Sequence, residues 1–385
     1  MDSYRFLTPP IIYYGLGTLE GACDKLAKIG NRPLVVTDKI MINIGYADRV
    51  VNYLKKQKLE ISLFNEVNTE PTDRYVEKGT NLFKENHCDF VIALGGGSPI
   101  DTAKAISLMV SNPGEIQDYM GLGKVKQNGP PIVAIPTTSG TGSEVTQFTI
   151  ITDTKKDVKM LIGSEYLIPK IAINDPALTM TVSPSITAAT GIDALTHAIE
   201  AYTSRRHQPL ADNFALSSIK RISKYLRRAW ANGDDEEARS EMMLAAMEAG
   251  IAFNNSSVTI VHGMSRPLGA LFHISHGISN AVLLPACLEY AIMGLPERFA
   301  NIAKAMGAKD SNLSDLDLAK EGLILIKKLC EDVEIPSISG LGIDKNNFTK
   351  RLDKMATDAL ASGSPYNTAR KPSKEDIIKI YEKSF

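Results

Sequence analysis

The chain of 385 residues is long for one domain and suits two, and with 44% hydrophobic and 23% charged residues it has the make-up of an ordinary globular protein. Lys and Arg number 43 against 44 Asp and Glu, a net charge of −1, so nothing in the balance marks a nucleic acid or an anionic membrane as partner. The opening MDSYRFLTPPIIYYG lacks the basic and continuous apolar regions of a secretory signal, and no apolar run approaches the ~20 residues of a bilayer span.

In chain order, the helical pattern TLEGACDKLAKIG comes first, then the strand-like PLVVTD (33–38), the helical ADRVVNYLKKQK, the run LEISLFNEV (59–67) and the helical RYVEKGTNLFKENH. DFVIALGGG (89–97), the helical SPIDTAKAISLMVSN, PPIVAIPTT (130–138) and PKIAIND (169–175) follow. Strand–helix alternation with nearly continuous apolar strands predicts a parallel sheet covered on both faces. TQFTIITDTKKDVKMLIG, two β-rich runs around a polar turn, predicts a hairpin. Strand signals stop after residue 182, where Ser183-Pro184 reads as an N-cap and first helical residue. In ADNFALSSIKRISKYLRRAWANG (211–233), Leu216, Ile219, Ile222, Leu226 and Trp230 form one apolar stripe. Its basic face (Lys220, Arg221, Lys224, Arg227, Arg228) is expected to be solvated. The cysteines Cys23, Cys88, Cys287 and Cys330 show no CxxC spacing, which argues for buried thiols of a cytoplasmic protein and against a zinc–thiolate site. The expected architecture is an α/β nucleotide-binding domain over 1–182 and an all-α, metal-binding domain over 183–385.

Two turns carry chemistry. DFVIALGGGSPIDTAKAI ends a strand on Gly95, Gly96, Gly97 and Ser98 and opens a helix, letting backbone approach a bulky group while unpaired N–H groups face an anion. PTTSGTGSE (136–144) follows another strand and is dense in hydroxyls and glycine. Either alone could be only a tight connection; together they point to a clasp for a dinucleotide diphosphate. Asp38, ending PLVVTD, is placed to accept from an adenosine ribose and to repel a 2′-phosphate, favouring NAD over NADP; it could equally cap the next segment.

GIDALTHAIE (191–200) sets Asp193 and His197 four residues apart in a helical, otherwise small or apolar run, so both point from one face. Three of the six histidines fall in VHGMSRPLGALFHISHG (261–277), where His262 and His276 can add two ligands. An ionised, unpaired Asp193 in such a place would be very costly, and a dication removes that cost. One oxygen and three nitrogens suit Fe²⁺ or Zn²⁺ better than Ca²⁺ or Mg²⁺.

Taken together, GGGSPIDTAKAI, PTTSGTGSEVT, GIDALTHAIEAY, VHGMSRPLGA and SHGISNAVLLP resemble the iron-containing (group III) alcohol dehydrogenase family over essentially the full length. The resemblance implies a dehydroquinate-synthase-like fold with its active site in the cleft between two domains, a homo-oligomer of two or more chains, and metal-assisted hydride transfer between a small alcohol or aldehyde and NAD. It places metal ligands on Asp193, His197, His262 and His276. It places cofactor contacts on Asp38, Gly96, Gly97, Ser98, Thr137, Thr138 and Lys159, with Asp101 and Ser143 in the same motifs, and Leu178 as an adenine or ribose contact. Phe253, in AFNN, matches a position lining the substrate pocket.

Three departures stand out against that pattern. Arg266 takes the place of a histidine often credited with proton relay, Glu70 stands where an asparagine precedes a proline, and Ser364-Pro365-Tyr366 replaces an Asn-Pro-Arg. With Arg266 permanently charged, His273 is the group available to move a proton near neutral pH. The expected substrate is a primary alcohol or short diol. The alternatives are an acidic alcohol such as 4-hydroxybutyrate, with Arg266 binding its carboxylate or else paired with Glu200, and, more remotely, a dehydroquinate-synthase-like lyase or a non-catalytic metal-binding protein.

Overall fold

The computed structural model describes residues 3–309 and 312–385. The chain divides into two compact units, Leu7–Thr181 and Val182–Phe385, the second also taking in the described residues up to Phe6.

Nine strands build the first unit: β1 (Ile11–Tyr14), β2 (Pro33–Val36), β3 (Ser62–Phe64), β4 (Phe90–Gly95), β5 (Gly121–Leu122), β6 (Ile132–Pro136), β7 (Phe148–Asp153), β8 (Val158–Gly163) and β9 (Ile171–Asn174). Six of them form one parallel sheet in the order β1-β9-β6-β4-β2-β3. The inner strands β2, β4, β6 and β9 are buried along their whole lengths, which is why they read as unbroken apolar runs. Alternate residues serve opposite faces. Leu34, Val36, Val91 and Ala93 pack with Ile100 and Ile106 on one side, while Val35, Ile92, Leu94 and Val133 pack with Leu19, Val50 and Leu54 on the other. The predicted hairpin is the antiparallel β7–β8 pair, flanked by the short β5.

The chain runs outward from β2 to β3, then returns to lay β4 on the other side of β2. That reversal opens a crevice at the carboxyl ends of β2 and β4, the place where open α/β sheets take ligands. Asp38 follows β2, and the triple-glycine turn follows β4.

The second unit is helical. Its first helix, Pro184–Thr203, starts as the sequence predicts: the Ser183 side chain accepts from the Ile186 N–H, and Pro184 takes the first position. From Gly191 to Thr203 every residue is buried, so this helix is wrapped by its neighbours rather than laid on them. The following helices are Pro209–Ala231, Glu236–Asn254, Ile260–Phe272, His276–Ala291, Pro296–Ala305, Asp315–Asp332, Lys345–Ala361 and Lys374–Ser384. In Pro209–Ala231 the stripe residues Ile219, Ile222 and Leu226 are fully buried, and Leu216 and Trp230 partly so.

Two expectations need correcting here. The basic face of Pro209–Ala231 is not simply solvated: Arg221 pairs with Glu241 and Glu248, Arg227 with Asp332, and Arg228 with Asp235 and Glu237. Part-exposed pairs of this kind contribute little each. The stretch His276–Gly294 is also long and apolar enough to span a bilayer by length and composition, but 61% of it is buried inside the fold. It is a core helix. The four cysteines are free and buried, as expected.

Candidate metal centre and cofactor turns

Gly95 ends β4 at φ 145°, a conformation closed to ordinary side chains, and a Cβ there would lie 2.6 Å from Pro99 Cγ and 3.3 Å from Asp38 Oδ2. Gly96 then starts the helix Gly97–Ser111, whose first N–H groups receive no side-chain cap. The second turn lies against the first: Thr137 N–H donates to Gly95 O at 3.0 Å, and a Cβ on Gly97 would meet Thr141 Cγ2 at 2.9 Å. The structure thus gathers Asp38, Gly95, Gly96, Gly97, Ser98, Thr137 and Thr138 at adjacent strand ends. Asp38 is the helix cap that the sequence allows. Its Oδ1 caps the helix Lys39–Asn43 through Met41 N–H at 2.9 Å, while Oδ2 is turned towards Gly95.

Asp101 and Ser143 join the two turns. Ser143 Oγ donates to Asp101 Oδ1 at 2.6 Å, and Asp101 Oδ2 accepts from Ile150 N–H at 2.8 Å, so the pair ties the second turn to the helix behind the first. Beneath them lies Lys104, fully buried. Its ammonium donates to Ser143 O (2.6 Å) and Oγ (3.1 Å), Thr146 O (2.8 Å) and Oγ1 (3.0 Å), and Phe148 O (2.9 Å). Burial pushes Lys104 down to about 8, which still leaves it protonated at neutral pH as five oxygen acceptors require. Burial also lifts the neighbouring Glu144 carboxyl to about 7.

Lys159 and the departing Glu70 turn out to be partners, with Nζ and Oε2 at 2.6 Å. Leu178 sits with its side chain fully buried in the apolar core beside Leu19 and Leu26, leaving it no side-chain surface to offer a ligand.

In the helical unit, Asp193, His197, His262 and His276 bring one ligand atom each to within 4.8 Å of one another. The first two come from the buried helix Pro184–Thr203, the third from the first turn of Ile260–Phe272, and the fourth opens His276–Ala291. Nε2 of His197 and of His262 are 2.9 Å apart, and Asp193 Oδ1 lies 3.9 Å from His262 Nε2 and 3.8 Å from His276 Nε2. Burial would raise the Asp193 pKa, but His197, His276, His262 and the Asn280 amide outweigh it and hold the carboxyl below its ordinary value. Burial, reinforced by His197 and His276, holds His262 well below the usual imidazole range and therefore neutral. One carboxylate and three imidazoles, converging, with His276 alone partly open to solvent, are the donor set of a transition-metal ion, and the residues present fit one.

Two further residues shape this set, and the sequence reading gave neither of them that role. Glu200 is buried three residues after His197; its Oε2 meets His262 Nδ1 at 2.5 Å, while Oε1 accepts from Thr259 Oγ1 (2.7 Å) and Val261 N–H (2.6 Å). An acceptor on Nδ1 fixes the tautomer, so His262 Nε2 presents its lone pair to the ligand set. The signal was available, since Glu200 is a third polar residue on the face that carries Asp193 and His197. Asn280 Nδ2 donates to Asp193 Oδ1 at 2.7 Å and orients that carboxylate.

The remaining expected residues divide. The Phe253 ring stacks on His197 at 4.4 Å and 19°, giving the set an apolar wall. His273 ends Ile260–Phe272 in a left-handed conformation with an exposed side chain, and no hydrogen bond joins it to the four ligand residues. Arg266 donates to Ser364 Oγ at 3.3 Å rather than to Glu200, which accepts from Thr259, Val261 and His262.

The family description "Iron-containing alcohol dehydrogenase" matches residues 9–176, and "Fe-containing alcohol dehydrogenase family, C-terminal" matches residues 187–385. The chain is 37% identical to a 1,3-propanediol dehydrogenase of Klebsiella pneumoniae, with 100% of both chains covered. It is 36% identical to an NAD-dependent methanol dehydrogenase of Bacillus methanolicus, with 98% of each covered. A solved structure of a 1,3-propanediol oxidoreductase superposes with a TM-score of 0.97 over 100% of both chains, at 36% identity. Family descriptions over both units, and relatives matched from end to end, place this chain in the iron-containing alcohol dehydrogenase family: it is an alcohol dehydrogenase.

Proposed function

We propose that the chain interconverts a primary alcohol or short diol and its aldehyde, with Asp193, His197, His262 and His276 holding a divalent ion, Fe²⁺ first and Zn²⁺ second, and the glycine turns holding NAD. When bound, the ion would supply Lewis acidity at the substrate oxygen, and the dinucleotide would supply a hydride acceptor. Each residue then has a definable task. Glu200 keeps the lone pair of His262 turned into the set, Asn280 fixes the Asp193 oxygen, and Phe253 keeps water from the His197 side of the site. Gly95 to Ser98 leave room and free N–H groups for the diphosphate, with the Thr137 and Thr138 hydroxyls beside them. Asp101, Ser143 and Lys104 hold that second turn in place. Lys159 remains a cofactor contact in this reading, its charge shared with Glu70.

The observation that carries the proposal is the convergence of one carboxylate and three imidazoles, with a carboxylate behind His262. Relatives named for 1,3-propanediol and methanol support small primary alcohols as substrates. Four free, buried cysteines support a reducing cytoplasmic setting, and a net charge of −1 gives no reason to expect a nucleic acid or membrane partner. We take the working form to be a homo-oligomer.

Cofactor choice gives a direct test. Asp38→Gly removes the carboxylate that repels a 2′-phosphate, and glycine at this cap costs the fold only a few tenths of a kcal/mol. The NADP/NAD ratio of kcat/KM with 1,3-propanediol is expected to rise at least about tenfold, equal to about 1.4 kcal/mol of differential transition-state binding. A flat ratio would leave Asp38 as a helix cap only.

A further inference from the structure

Arg266 is an arginine in an unusual position. It lies four residues after His262 on Ile260–Phe272, so the two side chains leave the same face of the helix. A guanidinium carries five N–H donors and stays charged at any physiological pH. Among the described residues, its hydrogen bonding is limited to the long contact with Ser364 Oγ. Among the described residues no carboxylate lies within ion-pair distance of Arg266; Arg239, another arginine of the unit without one, instead donates to Gly233 O, Thr187 Oγ1 and Val182 O, a set of bonds Arg266 lacks. The acid whose charge acts on it is Glu200, and both Glu200 oxygens already accept from Thr259, Val261 and His262. Burial pulls the Arg266 pKa below its ordinary value, as expected for a cation drawn out of water without a counter-charge. A partly buried guanidinium without a carboxylate partner is open to an incoming anion.

We propose that Arg266 is the anion subsite of the substrate pocket, receiving a carboxylate through paired N–H donors, so that the enzyme selects short ω-hydroxy carboxylates over neutral alcohols of the same length. The inference rests on the reading of Asp193, His197, His262 and His276 as the ion site, because the hydroxyl end must lie there while the acid end reaches Arg266. Side chains four apart on a helix are separated by about 5–6 Å, a span suited to a chain of three or four carbons. Planar, two-pronged hydrogen bonding favours carboxylate recognition by arginine over recognition by lysine.

The test compares wild type, Arg266→Gln and Arg266→Lys, loaded with Fe²⁺, on 4-hydroxybutyrate and 1-butanol with NAD. Binding of 4-hydroxybutyrate to the metal-depleted proteins is measured in parallel by calorimetry. Wild type is expected to prefer the acid, and Arg266→Gln to lose at least about 30-fold more kcat/KM on 4-hydroxybutyrate than on 1-butanol, chiefly through KM. Arg266→Lys should recover part of that loss, and the metal-depleted wild type should bind the acid more tightly than Arg266→Gln does. Equal losses on both alcohols, or equal binding by wild type and Arg266→Gln, would overturn the subsite while leaving the dehydrogenase reading intact. If loaded wild type oxidises neither alcohol, nor 1,3-propanediol, the reading of the site fails, and the subsite with it.

Discussion

Asp193→Ala and His262→Ala are each expected to lower alcohol oxidation to below about 1% of wild type and to strip the protein of most of its bound metal, measured by elemental analysis after desalting. The two variants fail for different reasons. Asp193→Ala removes the only anionic donor of the set, so three neutral imidazoles must hold a dication without charge compensation, and it leaves the Asn280 amide without its acceptor at 2.7 Å. His262→Ala removes a donor and also abandons Glu200, a buried carboxyl that then keeps only Thr259 and Val261 as partners. Such a loss costs about 1–3 kcal/mol of stability, so the fold should persist with a lowered midpoint. Glu200→Gln gives a graded control. Every direct ligand remains, the histidine loses its ionic partner, and metal affinity should fall by about 10–100-fold rather than vanish. Full metal occupancy in Asp193→Ala and His262→Ala would remove these residues from direct contact with the ion.

Gly95→Ala is the second large effect. At φ 145° the new methyl group strains the backbone by about 1–3 kcal/mol, and it would lie 2.6 Å from Pro99 Cγ, a ring that cannot swing aside because it belongs to the first turn of Gly97–Ser111. The turn must shift, carrying with it the N–H groups proposed for the diphosphate. NAD affinity measured by fluorescence titration should fall at least about tenfold, and the urea midpoint should drop. Gly96→Ala separates the two causes. A Cβ at Gly96 meets only Thr138, at 3.6 Å and beyond, with the backbone at φ −73°, so the fold should be unaffected. If Gly96→Ala nevertheless weakens NAD, the backbone itself approaches the cofactor. If neither variant changes NAD affinity, the turn does not hold it.

The parallel sheet was legible because its inner strands are buried on both faces and must be apolar at every position, as Val91 to Leu94 are. β1 and β5 were not: one is an edge strand of four residues with partly exposed side chains, the other has two residues, and neither produces a period. The ligand set was legible for the opposite reason. Asp193 and His197 are polar in a helix that is otherwise dry, and burying them needs a partner. Glu200 obeys the same logic as a third polar residue on that face, but its partner His262 lies on another helix and only the fold brings the two together. Lys104 was invisible in the pattern TAKAI, where a lysine normally faces water; only the turns folded over it supply its oxygens. Lys159 and Glu70 could each be singled out but not paired, because their meeting depends on where β8 runs.

The most direct test of the account is a metal titration. Metal-depleted protein is titrated anaerobically with Fe²⁺ while NADH formation from 1,3-propanediol is followed in the presence of saturating NAD. The account predicts negligible rate without metal, a linear rise, and a break at one ion per chain, with Zn²⁺ competing for the same site. A rate that does not depend on added metal, or one that still rises well beyond one ion per chain, would contradict the assignment of Asp193, His197, His262 and His276 as the single catalytic site.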